Sequence, residues 1–303
     1  MVDGTRSRAP GGAPATAPHG DPLLRRVGRG VVRAFRPADD VFAAVELGEA
    51  LQQPITTGRR IVVGGPHGGV EQGTVAALVA MVFAHYRQDR VLALDIDPGM
   101  GSLALRLGVR TRSSLGELAG EGAEPESFER LEPHLSPAGE RLWVLPGTQD
   151  GVNGGDLGVR TYQDTLVPLT RFFGITLIHC GAEAPEDLTR AALAGAHASV
   201  LVAPATRAGA VDVGRTLDSM IGRGDEQLLA RTVVVFAEQD PDADPAFDRA
   251  GAADIIRGSG AGVVRFGYDR HLALATALDP LRLARATHAT VTGLAAEALR
   301  RSV

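Results

Sequence analysis

The sequence predicts an α/β fold: a doubly wound, mostly parallel sheet with helices on both faces. Three observations predict it. Short apolar runs recur along the chain without polar alternation, as strands buried on both faces require. Segments of helical length lie between several of them, which is the crossover that parallel strands need. The chain has 303 residues, of which 44% are hydrophobic, enough for one large core.

Taken in order, residues 1–20 are rich in Gly, Ala, Pro and Thr and lack large apolar side chains, so a disordered tail is expected. Asp21 and Pro22 read as an N-cap and a first-turn proline, and Pro37 stops the helix they open. Within 23–36, Leu23, Leu24, Val27, Val31, Val32 and Phe35 share one half of the helical wheel. Arg25, Arg26, Arg29, Arg33 and Arg36 occupy the other half. Gly28 and Gly30 each weaken this helix by about 1 kcal/mol, so a partner surface is needed to hold it. Residues 38–58 read as a linker and 59–303 as the folded domain. Strands are expected at 60–64, 91–94, 142–145, 175–178, 200–203, 232–236 and 262–266, and helices at 75–86, 161–173, 187–194, 211–221 and 281–300.

Composition excludes several chemistries. All 31 basic residues are arginine, so Schiff bases, Ser–Lys dyads and a phosphate-binding lysine are impossible. The single cysteine, Cys180, forbids an intrachain disulfide and fits a reducing compartment. No run approaches the roughly 18 apolar residues of a membrane span, and the first 20 residues lack a secretory core, so a cytoplasmic location is expected. Residues 1–36 carry 7 Arg against 2 Asp, whereas the remainder carries 24 Arg against 34 acidic residues. A basic arm thus precedes an acidic body. Docking on its own domain or on a partner protein is the first reading of the arm. An anionic membrane surface, at the inner face of the plasma membrane, is the second. Nucleic acid is not expected, because the body is acidic and no aromatic platform accompanies the arm.

The first strand runs into a Gly-rich loop and then an Ala/Val-rich helix, the context of a phosphate-binding loop. Residues 67–74 (His67, Gly68, Gly69, Val70, Glu71, Gln72, Gly73, Thr74) resemble the Lys-Gly-Gly-Val-Gly-Lys-Thr-Thr loop of the MinD/ParA group of P-loop ATPases. The stretch VLALDIDPGMGSLALRLG at 91–108 is similar to that family's second strand and switch I, with Asp95 and Asp97 as its two acids. Residues 200–213 match a later strand and loop. Residues 44–60, 114–118 and 266–272 resemble actinobacterial MinD-like proteins of type VII (ESX) secretion loci, the EspI-like group. The resemblance spans roughly residues 40–300 and implies a Rossmann-like P-loop fold. It also implies ATP with Mg²⁺ as cofactor and dimerisation around nucleotide.

The loop departs from the family where charge is needed. The second lysine is Gln72, the Mg²⁺-binding Thr is Gly73, the loop glycine is Glu71 and the first lysine is His67. His179 stands where the family has an Asp that orders Mg²⁺ through water, and Ala237 is the counterpart of its adenine-reading Asn. Glu71 is expected to occupy part of the phosphate niche at the helix N-terminus. Asp95, Asp97, Gln72 and His179 are then remnants rather than a catalytic set. His67, His179 and Cys180 should gather at the strand ends, but no spacing supports a metal site and no base is legible for Cys180. The expected function is a pseudo-ATPase: an adaptor or regulator with protein partners at a secretion or cell-pole assembly, either a monomer or a constitutive homodimer, with no cofactor. The alternative is a divergent ATPase switch that takes its cation from Arg59, Arg60, Arg207 or a partner.

Overall fold

The computed structural model describes residues 38–66, 70–98, 102–121, 125–147, 157–181, 183–240, 244–274 and 276–303. The chain divides into two units, Met1–Ala43 and Ala44–Val303. The expected tail at 1–20 and the amphipathic arm at 23–36 lie outside the described residues.

Strands β1 (Arg59–Gly64), β2 (Val91–Asp95), β3 (Ser136–Pro137), β4 (Leu142–Pro146), β5 (Ile175–His179), β6 (Ala198–Pro204), β7 (Thr232–Ala237) and β8 (Gly262–Phe266) form one sheet in the order β3-β4-β2-β5-β1-β6-β7-β8. All neighbours pair in parallel except β3, which runs antiparallel to β4. The seven strands expected from apolar runs are all present, each within two residues of its expected ends.

Helices α1 (Ala38–Gln52), α2 (Val70–Tyr86), α3 (Ser102–Arg106), α4 (Leu115–Gly120), α5 (Glu186–Ala194), α6 (Arg207–Gly222), α7 (Glu226–Ala230), α8 (Arg249–Gly258) and α9 (Arg285–Arg301) connect them. On one face, α2, α9 and the end of α1 pack on Ile61, Val63, Ala93 and Val235. On the other, Val62, Leu92, Leu94 and Ile178 meet α4, α5 and residues of 157–173, while α6 and α8 cover Leu201, Val234 and Phe236. Alternate residues of each strand thus enter different cores, as a two-sided sheet demands.

Two expectations change. Most of the supposed linker 38–58 is helix α1, because Leu47, Ala50 and Leu51 recur at i, i+3 and i+4 and bury against the core. Arg87, itself buried, ties down its end by donating to the carbonyls of Leu51 and Gln53 at 2.7 and 3.0 Å. The helix expected at 161–173 is interrupted: a π-helical stretch, Tyr162–Leu166, precedes Val167–Leu169. Pro168 lacks a donor and crowds the carbonyl four residues earlier, so the turn ahead of it widens.

His197 precedes β6 at the amino-terminal edge of the sheet. Its Nδ1 accepts the Arg60 N–H at 3.0 Å, and burial, then Arg60, Arg59 and Arg231, hold its imidazole below the ordinary histidine range. The folded chain therefore binds fewer protons here than the unfolded chain, and this contribution to stability is lost as pH falls through the unfolded value of about 6.5. The melting temperature should drop between pH 7.5 and 5.5, and His197→Gln should flatten that dependence, measured by differential scanning calorimetry at fixed ionic strength.

Candidate functional site

Ligands of such sheets bind outside the carboxyl ends of the strands. That edge here collects the end of β1, the start of α2, Asp95 on β2, His179 on β5 and Ala237 on β7. His67, Gly68 and Gly69 lie outside the described residues, and Val70 is described only as the first residue of α2. Glu71, Gln72, Gly73 and Thr74 belong to the first turns of α2, which begins five residues earlier than expected. An acid in the first turn suits the helix dipole.

Gln72 is 2% exposed, and its amide lies against Gly65. A Cβ at Gly65 would overlap both that amide and the Val202 carbonyl, so only glycine fits there. The position that would carry the phosphate-binding lysine is therefore packed against the loop by a neutral side chain. A Cβ at Gly73 would stand 2.8 Å from Ser102 Oγ and 3.7 Å from His179 Cε1. Ser102 thus crowds the space in which a threonine at 73 would offer its hydroxyl. Nothing in the sequence pattern singled out Ser102. It opens α3, which closes with a Schellman turn at Gly108 (φ 69°), Val109 N–H donating to the Ala104 carbonyl.

The centre of the edge is a buried pair. Asp95 is 1% exposed and His179 2%, with Nδ1 2.9 Å from Asp95 Oδ1. Asp95 also accepts the N–H groups of Asp97 (Oδ1, 3.2 Å) and Leu103 (Oδ2, 3.2 Å). Two backbone donors and one imidazole nitrogen thus surround this carboxyl group, which fixes its orientation. The Nε2 of His179 is buried with no hydrogen-bond partner. The side chain of Asp97 packs on Gly181, where a Cβ would overlap its carboxylate. Cys180 is buried, and burial first, then Asp95 and Asp97, push its thiol well above the usual range, which keeps it a thiol rather than a nucleophile. Among the described residues no cluster of three or more His, Cys, Asp or Glu is placed to hold a metal ion.

Glu71, expected to occupy part of the phosphate niche, stands in the first turn of α2. Its carboxylate accepts Gln239 Nε2 at 2.6 Å, on the loop after β7. There it lines a cavity of about 300 Å³ with Arg106, Ala237, Phe266 and Tyr268. Ala237 lies where the resemblance places the adenine reader. Burial lowers the Arg106 guanidinium from its usual range and the nearby Glu71 raises it. Arg106 is also turned to the carbonyls of Leu272 and Thr276, both at 3.3 Å. Arg59 and Arg60 open β1 at the opposite edge, about 13 Å of strand away from Gly64, and cannot reach this site within one chain. Arg207 is on the correct edge but pairs with Asp244 at 3.3 Å. The chain has no lysine to offer at this edge, and Gly73 brings no hydroxyl of its own but lies beside that of Ser102.

No protein-family model matches the chain. It is 30% identical over 232 residues to the ESX-1 secretion-associated protein EspI of Mycobacterium tuberculosis, in strains CDC 1551 and H37Rv, a stretch covering 73% of this chain and 34% of EspI. The chain thus matches about a third of the length of these relatives. Among solved structures, the cell-division ATPase MinD of Pyrococcus furiosus superposes with a TM-score of 0.63 at 21% identity, covering 81% of this chain and 100% of that one. A ParA family ATPase from Chlorobium tepidum gives 0.62 at 16% identity (78% and 98%), and the MinC:MinD complex of Aquifex aeolicus 0.57 at 17% (80% and 95%). The fold is that of the MinD/ParA ATPases, as the resemblance of residues 67–74 and 91–108 implied.

Removing His179 leaves Asp95 short of one donor. His179→Ala should cost about 1–3 kcal/mol in urea unfolding at pH 7. His179→Asp, which restores the family residue, should cost more, because two buried carboxylates then face each other. Its excess over alanine should shrink as pH falls from 7 and be gone by about pH 4, where the unfolded chain's carboxyl is protonated as well.

Proposed function

We propose that this chain is a MinD/ParA-like pseudo-ATPase that serves type VII secretion as an adaptor or regulator, binding proteins rather than turning over nucleotide. The single observation that carries this reading is the rebuilt carboxyl edge. Gln72 is packed on Gly65, Ser102 crowds Gly73, and Asp95 is committed to His179 and two backbone N–H groups. Phosphoryl transfer depends on positioned charge, so a site without lysine, metal hydroxyl or an uncommitted carboxylate has nothing with which to stabilise the transition state. The secretion assignment is supported by the likeness to EspI, and the adaptor assignment by a fold shared with a MinD solved in complex with a protein, MinC. Among the described residues no helix is long and apolar enough to cross a membrane.

The fold supplies an eight-stranded sheet with strand ends exposed at two edges, which suits a docking platform. The second reading, a nucleotide switch with an arginine supplied in trans by a partner, is favoured by the 300 Å³ cavity beside α2.

Titration calorimetry with Mg-ATP should show no saturable heat, and steady-state phosphate release should not rise above buffer. A micromolar affinity would overturn the pseudo-ATPase reading, and saturation only in the presence of a secretion partner would favour the switch. For the basic arm at 23–36 we propose a protein surface. In flotation with vesicles containing anionic lipid, the full chain should stay at the bottom of the gradient. Co-flotation of the full chain, but not of a chain starting at Ala38, would reassign the arm to the membrane.

A further inference from the structure

We propose that the cleft at the amino-terminal edge of the sheet, walled by Arg90, Arg141 and Arg171, binds an acidic peptide segment of a partner protein. The cleft has a volume of about 590 Å³ and lies at the edge opposite the candidate nucleotide site. It goes beyond the pseudo-ATPase reading and stands whether or not ATP binds.

The placement follows from register. Val91 pairs with both Leu142 and Ile175, and Arg59 pairs with Ile175, so β4, β2, β5 and β1 start level. At or just before those starts stand Arg141, Arg90, Arg171 and the pair Arg59 and Arg60. The row continues with His197 before β6 and Arg231 before β7. Neighbouring strands are about 4.8 Å apart, so these groups form a basic belt on a body whose net charge is acidic.

The belt's charge is felt inside the structure, since Arg60, Arg59 and Arg231 add to burial in depressing His197. Arg59 Nε is buried with no hydrogen-bond partner. The two carboxylates lining the cleft are already engaged: Asp89 with Arg87 at 2.5 Å, and Glu140 against Arg141 at 3.7 Å.

The arginines are also oriented. The Arg90 guanidinium lies over the Phe128 ring at 3.9 Å, and Arg171 lies over Phe172 at 4.7 Å while donating to the Pro125 carbonyl at 2.7 Å. Stacking fixes the plane of a guanidinium and leaves its N–H donors at the plane's edge, the geometry that grips carboxylates in pairs.

The other walls select a peptide. Ile55, Trp143 and Phe173 give an apolar floor for a side chain between acids, and Thr56 brings a hydroxyl for a backbone amide, while that of Thr57 accepts from Arg59 at 2.5 Å. A concave site of this size does not fit a flat bilayer. A nucleic-acid duplex carries a charge about every 1.7 Å and needs a longer uninterrupted basic track than one cleft provides.

Trp143 is the single tryptophan and lines the cleft, so binding can be read from its emission. The full chain is titrated with a fluorescein-labelled peptide, Glu-Leu-Glu-Glu-Leu-Glu, by anisotropy, and with the unlabelled peptide by Trp143 fluorescence. Saturable binding that weakens with salt is expected, together with a loss of about tenfold or more for the same peptide carrying Gln in place of Glu. Arg90→Gln with Arg171→Gln should weaken binding by a similar factor, and Arg141→Gln, which leaves both stacked arginines in place, covers the case in which the double variant unfolds. Arg207→Gln, at the other edge, should bind as the parent does. Equal affinity for the Glu and Gln peptides, or unchanged affinity in folded Arg141→Gln, would overturn the proposal. So would a Trp143 response to short duplex DNA or to phosphatidylglycerol vesicles but not to the acidic peptide.

Discussion

A parallel sheet buried on both faces can place charge only at its two ends. Every residue of β2, β4, β5 and β7 is buried, and alternate side chains are sealed into separate cores. Polar chemistry is therefore pushed to the strand termini, where backbone groups leave the ladder and can serve side chains. The carboxyl edge holds the Asp95–His179 pair and the first turn of α2. The amino edge holds the arginine belt. The two are separated by the length of the strands and share no residue, so a change of side chains at one leaves the other undisturbed.

At the carboxyl edge the same constraint governs how the acidic side chains are partnered. A carboxyl group removed from water needs hydrogen-bond partners on several sides. Asp95 obtains them from two backbone N–H groups and from His179, and in doing so is fixed as part of the fold. Glu71, at the start of α2, is drawn outward to Gln239. Asp269, on the segment after β8, follows the same rule. Burial alone would raise its carboxyl, but the N–H groups of Ala284 and His271 and the Thr287 hydroxyl hold it below its usual range. Each of these carboxylates ties its segment to another part of the fold.

Much of the fold was legible because burial on both faces forces uninterrupted apolar runs, which stand out against arginine- and glycine-rich connectors. Helix α1 was missed because its apolar spacing is short and lies among acidic and small residues; only the contact of Leu47, Ala50 and Leu51 with the core declares it. The start of α2 was placed late because a Gly-rich segment reads as loop, although Glu71 and Gln72 gain from the helix end and from burial. Arg59 and Arg60 looked available to a phosphate in the chain's linear order, yet strand direction sends them to the far edge.

From residue identity alone came the absence of lysine, the altered 67–74 loop, the repeated strand and helix pattern and the division into a basic arm and an acidic body. These are properties of composition and spacing, and no folding can change them. The tertiary structure decided which of those residues meet. His179 and Asp95 are 84 positions apart, and Glu71 and Gln239 are 168 apart. Arginines scattered from 59 to 231 fall into one row, because strand order and register, which are set by non-local packing, bring the strand starts level.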